Sequence, residues 1–168
     1  MIKKKNILIW GGGLRSFKLY NFFNDIKQFK NKSLQVKYIF DPTTKKLTFK
    51  HKCNYSNKKH DLKKFIENSN YFISSSLWEE PGHAIFEAGY LNKLIISSDC
   101  PNGPREILIN NFNSIKYKSG DHIKLSEIIK SLIEDKIKDQ DELRLNMKKL
   151  LKNYTMLMFA KKFKQILN

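Results

Sequence analysis

Six charged residues that could bind or hold a polar ligand fall in one stretch, residues 76–107: Glu79, Glu80, Glu87, Asp99, Arg105 and Glu106. Carboxylates at loop ends accept hydrogen bonds from hydroxyl groups, and an arginine fork pairs with phosphate. Gly82 lies between the first two acids and a helical segment. Without a Cβ it lets the backbone approach a ligand closely. The N–H groups that open the 82–91 helix have no intrahelical acceptor, so they form an anion site of the kind a diphosphate occupies. His83 and Ala84 stand in that first turn. His83 is a candidate phosphate contact, set against the commoner case of a lone surface histidine. Asp99 reads equally as a turn cap and as a site residue. Glu87, on a helix otherwise apolar, competes with a solvated edge position.

The surrounding elements must bring these residues together. Asn6–Trp10 is a short apolar run ending at Gly11-Gly12-Gly13, which predicts a buried strand and a turn. Residues 15–29 carry Phe17, Tyr20, Phe23 and Ile26 at helical spacing. Leu34–Phe40 reads as a strand stopping at Asp41-Pro42. Within the polar stretch 43–58, Leu47–Phe49 is a candidate edge strand. Asp61–Asn68 predicts a short helix, Tyr71–Ser75 a strand, Gly82–Leu91 a helix, and Leu94–Ser98 a strand. Pro104–Ile109 begins a short helix with proline in a permitted first-turn position. Ile115–Tyr117 is a short strand. Ser119-Gly120-Asp121 caps a helix whose expected apolar face is Ile123, Ile128, Ile129, Leu132 and Ile133. A lysine-rich helix covers 139–152, and Thr155 caps a final helix ending near Leu167. Short continuous apolar strands alternating with helices predict an α/β fold: a Rossmann-like parallel sheet with helices on both faces, in a single domain spanning 1–168. Ligands bind such sheets at the carboxyl ends of the strands, which converges residues 11–18, 76–83 and 99–106 on one crevice.

The bulk numbers set bounds. The chain has 168 residues, is 40% hydrophobic, and is long enough to bury one core. No apolar run approaches the ~18 residues of a membrane span, and the N-terminus lacks the pattern of a secretory leader, so a cytoplasmic protein is expected. Cys53 and Cys100 form no metal-ligand spacing and no disulfide framework; both read as buried, inert thiols, and no metal site is expected. The formal net charge is +16, carried almost entirely by lysine. A generally basic exterior is expected rather than a dedicated nucleic-acid surface. Such an exterior suits peripheral docking to anionic lipid head groups.

The segment Ser76-Leu77-Trp78-Glu79-Glu80-Pro81-Gly82-His83-Ala84-Ile85-Phe86-Glu87-Ala88-Gly89 resembles the signature of the family 4 (group 1) glycosyltransferases. In that signature a serine and two residues precede a Glu, a loop glycine follows, and a second Glu-Ala ends the motif. Seven residues separate Glu79 from Glu87, as in the family. The block Ser98-Asp99-Cys100-Pro101-Asn102-Gly103-Pro104-Arg105-Glu106-Ile107 is similar to the family's second motif. The resemblance implies the C-terminal, donor-binding half of a GT-B enzyme, which transfers a sugar from a nucleotide diphosphate donor with retention. It implies no cofactor beyond the nucleotide sugar itself and no bound metal, with a glycan or lipid-linked acceptor. By resemblance Glu79 lies near the donor sugar hydroxyls, with Glu80 beside it, and Glu87 accepts from the ribose hydroxyls. Arg105 holds phosphate, and Glu106 positions the loop or touches the donor. The family's Gly-Arg and Lys after the first strand, which neutralise the diphosphate, correspond to Gly12, Gly13, Arg15 and Lys18, at a shorter separation than usual. Pro81 replaces the family's usual aromatic. The enzymes have two such domains, the acceptor being held mainly by the other one. The resemblance therefore also implies a missing N-terminal domain, a partner chain that supplies it, or a chain that binds the donor without efficient transfer.

Two readings of other classes compete. Gly11-Gly12-Gly13-Leu14-Arg15-Ser16, followed by Asp41, imitates a dinucleotide fingerprint, although Ser16 stands at the third glycine. The lysine-rich 45–64 and 136–164 stretches suggest RNA binding through charge alone. Neither accounts for residues 76–107.

Overall fold

In a computed structural model the described residues are 5–10, 34–40, 54–56, 59–79 and 82–155. They form strands β1 (Lys5–Trp10), β2 (Leu34–Phe40), β3 (Asn54–Ser56), β4 (Tyr71–Ser74), β5 (Leu94–Ser98) and β6 (Ile115–Tyr117). The helices are α1 (Lys59–Glu67), α2 (His83–Tyr90), α3 (Gly103–Ile107), α4 (His122–Ile133) and α5 (Gln140–Leu151), followed by a 3-10 turn at Lys152–Tyr154. All pairings are parallel, and the six strands lie in the order β3-β2-β1-β4-β5-β6. The chain runs outward one way from β1 and the other way from β4. The crevice between the carboxyl ends of these two strands is the switch point where such sheets bind ligands.

Strand alternation divides the core. Ile7 and Ile9 of β1, Tyr71 and Ile73 of β4, and Leu94 and Ile96 of β5 face Leu125, Ile128, Ile129 and Leu132 of α4. Leu8, Phe72 and Ile95, the residues between them, face the other way onto Ile66 of α1, Ile85 and Ala88 of α2, and Met147 and Leu151 of α5. The central strands are covered on both sides, so they read as continuous apolar runs. Each such side chain, fully buried, contributes roughly 1.5–3 kcal/mol. Helix α5 joins both layers: Leu143 packs in the first and Leu151 in the second.

Among the described residues the boundaries agree with the sequence to within about two residues for β1, β2, β4, β5, β6, α1, α2 and α5, with three differences elsewhere. The third strand is Asn54–Ser56; Leu47–Phe49 lie outside the described residues, as do the 15–29 helix and the final helix after Thr155. Helix α3 starts one residue earlier, at Gly103, and ends at Ile107. In α4, Asp121 does cap, its carboxylate accepting from the Lys124 N–H at 2.8 Å. The inward stripe, however, is Leu125, Ile128, Ile129 and Leu132, and Ile123 is 63% exposed. The correction follows from phase: a stripe at i, i+3, i+4 and i+7 starting from Leu125 places Ile123 on the opposite side of the helix.

Candidate functional site

The site is built from the ends of β1, β4 and β5. At the end of β4 the chain continues alongside β1, with the Ser75 N–H donating to the Trp10 carbonyl at 3.0 Å. The loop then turns so that the half-buried Glu79 faces the strand ends. The indole N–H of Trp10 donates to Glu79 Oε1 at 2.9 Å. The Ser76 hydroxyl donates to the same oxygen. From the neighbouring strand the Ser98 hydroxyl donates to the Ser76 carbonyl. Three adjacent strands therefore fix one carboxylate. Phe72 lies beside the Trp10 ring, with centroids 6.4 Å apart, and limits its rotation.

Helix α2 begins beyond this loop. Gly82 is its N-cap, at φ 79 and ψ 37, and no side chain caps the helix. The left-handed backbone is what calls for glycine here. The Ile85 N–H donates to the Gly82 carbonyl at 2.9 Å, which leaves the N–H groups of His83 and Ala84 for a ligand, and the helix dipole adds partial positive charge. A side chain at position 82 would lie 3.8 Å from Pro104 Cδ and 3.9 Å from Gly103 Cα. The loop after β4 thus packs against the start of α3, and the two sequence motifs meet. Ala84 is buried under this turn, while His83 and Glu87, one turn apart, are both exposed on the same side of α2.

The second motif carries an ion cluster. Lys116 Nζ lies 2.9 Å from Asp99 Oδ1, and Arg105 Nε lies 3.7 Å from it. Arg105 also donates to the Asp99 carbonyl at 3.1 Å. The Lys116 hydrogen bond, more than any other influence, holds the Asp99 carboxyl below the usual carboxylate range, with Arg105 adding to it. Arg105 remains 59% exposed, so it is tethered at the crevice rather than buried. Glu106 is exposed on α3. Cys100 is fully buried and free; burial pushes its thiol up, and the nearby charges of Glu79 and Asp99 push the same way. The Tyr117 hydroxyl donates to the Ser74 carbonyl at 3.0 Å, and burial raises its pKa strongly.

The structure thus brings Glu79, Gly82, Ala84, Asp99 and Arg105 to one end of the sheet and sets His83, Glu87 and Glu106 on exposed helix positions beside them. Gly12, Gly13, Arg15, Lys18 and Glu80 lie outside the described residues. Four participants escaped the sequence reading. Trp10 read as the end of an apolar run, Ser76 and Ser98 only as motif letters, and Lys116 as a strand residue. The signal available for Trp10 was an indole N–H, which needs a partner wherever it is buried. Among the described residues no group of three or more His, Cys, Asp or Glu could hold a metal ion, and no described helix is long and apolar enough to cross a membrane.

Three known proteins are similar to this chain. Uncharacterized glycosyltransferase MJ1059 of Methanocaldococcus jannaschii is 50% identical over 50 residues, which is 30% of this chain and 12% of that protein. The crystal structure of Anabaena HepE in complex with UDP-glucose superposes with a TM-score of 0.70 at 15% identity, over 96% of this chain and 48% of HepE. The C-terminal domain of the group 1 glycosyl transferase LpcC from Francisella tularensis matches with a TM-score of 0.63 at 15% identity, over 93% of this chain and 89% of that domain. The chain thus spans about half the length of HepE and a small part of MJ1059. At these identities the structural likeness is one of fold, a Rossmann-like half of a GT-B glycosyltransferase. The family model for glycosyl transferases group 1 matches residues 40–153, a span that contains both motifs and every described site residue except Trp10, and the chain belongs to that family.

Proposed function

We propose that the chain is the donor-binding half of a retaining glycosyltransferase that moves a sugar from a nucleotide diphosphate sugar to a glycan or lipid-linked acceptor. The observation that carries this reading is the convergence of Glu79 and the uncapped start of α2 on the switch point between β1 and β4. A diphosphate fits the open N–H groups and the dipole of α2. Gly82 and Ala84 give the backbone close access, and His83 and the tethered Arg105 flank the phosphates. Glu79 accepts hydroxyl hydrogens from the donor sugar, Glu87 accepts them from the ribose, and Glu106 and Asp99 hold the second loop. Glu80, Gly12, Gly13, Arg15 and Lys18 complete the proposed donor site, with Arg15 and Lys18 as the cations that stabilise the departing diphosphate. That HepE is found with UDP-glucose supports a nucleotide sugar as donor.

Because the chain spans about half of HepE, the acceptor is assigned to a second domain or a partner chain. The protein is placed in the cytoplasm, and its basic exterior suits peripheral contact with anionic lipid. No cofactor is required beyond the donor. Calorimetric titration with UDP, GDP, ADP and TDP and their common sugar conjugates tests the reading, with NAD and a short RNA as controls. Saturable binding of one sugar nucleotide is expected. Tight NAD or RNA binding with no response to any sugar nucleotide would overturn it.

A further inference from the structure

We propose that Trp10 and Ser76 are positioning residues that fix the Glu79 side chain and leave a single carboxylate oxygen to read the donor sugar. The inference rests on the donor-site reading above. Both donors, the indole N–H and the serine hydroxyl, end on Oε1, and Oε2 accepts no hydrogen bond among the described residues. A glutamate has three side-chain torsions and loses rotamer freedom when it is held. Two donors, one at the end of β1 and one in the loop after β4, supply that constraint before any ligand arrives. The remaining oxygen then meets a sugar hydroxyl with its orientation already set, which is how a fixed acceptor gains both affinity and selectivity.

The donors are themselves held. The Trp10 carbonyl accepts from Ser75, Phe72 lies against its ring, and the Ser76 carbonyl accepts from the buried Ser98 hydroxyl. Ser98 thus acts through Ser76, and β1, β4 and β5 all contribute to the setting of one oxygen. The arrangement separates two parts of the ligand. The diphosphate is assigned to the first turn of α2, whereas the Trp10 indole and the Ser76 hydroxyl both end on Glu79 Oε1, so loss of either donor should affect the sugar and spare the nucleotide.

The test uses the full chain and calorimetry with the nucleotide panel, comparing wild type with Trp10→Phe, Ser76→Ala and Ser76→Thr. Trp10→Phe keeps an aromatic ring and removes the N–H; Ser76→Thr keeps the hydroxyl. For the sugar nucleotide that the wild type binds, Trp10→Phe and Ser76→Ala should each weaken binding roughly fivefold to tenfold, as expected for one lost hydrogen bond. Affinity for the matching nucleotide diphosphate should change by less than about twofold. Ser76→Thr should restore sugar-nucleotide binding. A merely structural role would weaken both ligands together, in step with a fall in melting temperature, and that result overturns the proposal. So does unchanged sugar-nucleotide binding in both truncated variants. A wild-type chain that binds no nucleotide and no sugar nucleotide overturns the donor-site reading itself, and this proposal with it.

Discussion

The indole nitrogen of Trp10 and the carboxylate of Glu79 are separated by 69 positions in sequence and by 2.9 Å in space. The bond spans the two strands at which the sheet reverses its order, and it ties the first motif acid to the strand that begins the fold. Burying an indole N–H without a partner would cost about 1–3 kcal/mol. The same contact that suits a ligand site therefore also satisfies the core.

Gly82→Ala should destabilise the chain by roughly 1–2 kcal/mol, the cost of a left-handed backbone for an L side chain. Crowding is not the cause, since the added carbon would meet its nearest neighbour, Ile85 Cδ1, at 3.5 Å. The loop and the start of α2 should shift with it, weakening diphosphate binding. Urea unfolding beside a titration of the variant checks both effects; an unchanged midpoint would contradict the left-handed assignment.

Gly89 lies where α2 crosses α5. A side chain there would come within 2.7 Å of Leu151 Cδ1 and 3.0 Å of Met147 Cγ. Leu151 is fully buried and has little room to yield. Gly89→Leu should lose about 3 kcal/mol by overpacking. Gly89→Ala should lose less, because alanine regains about 1 kcal/mol of helix propensity. Thermal melts of the two variants should rank in that order.

Lys116 and Arg105 hold the Asp99 carboxyl below its ordinary range. A depressed folded pKa contributes stability that is complete above the unfolded value of about 4. That contribution is lost as pH falls through the folded value. Asp99→Asn should therefore be less stable than wild type at pH 7, and the difference should shrink as the pH is taken to 3. The contribution is modest, because the Asp99 side chain is 40% exposed. Urea midpoints across that range provide the check; a gap that stays constant with pH would count against the ion cluster.

Burial raises the Cys100 thiol above its ordinary range and shields it. In a Cys53→Ser background, a thiol reagent at pH 8 should react slowly with the native chain and at once with the unfolded chain. Rapid labelling of the native chain would show that the residue is accessible.

Much of this molecule was legible in its sequence. The strands at Tyr71–Ser74 and Leu94–Ser98 were readable because strands covered on both faces have no polar alternation. Glu79, Gly82 and Glu87 were readable because the spacing of a loop and one helix is local. What was not readable depends on register between distant strands. Nothing near Trp10 announces Glu79, and nothing near Lys116 announces Asp99; both pairs exist only because parallel strands align. Strand Asn54–Ser56 was missed because three residues at a sheet edge, with Tyr55 flanked by polar side chains, are too few to show a hydrophobic period. Ile123 was misplaced because the apolar count in α4 hid its phase, which Leu125 sets.

In the proposed complex a nucleotide diphosphate sugar lies in this crevice with Glu79 on the sugar and Glu87 on the ribose. The most direct measurement is the affinity of one sugar nucleotide and of its nucleotide diphosphate for wild type, Glu79→Ala and Glu87→Ala. Glu79→Ala should weaken the sugar nucleotide about tenfold and leave the diphosphate within about twofold, whereas Glu87→Ala should weaken both by about tenfold. Equal affinities across all three proteins would contradict it.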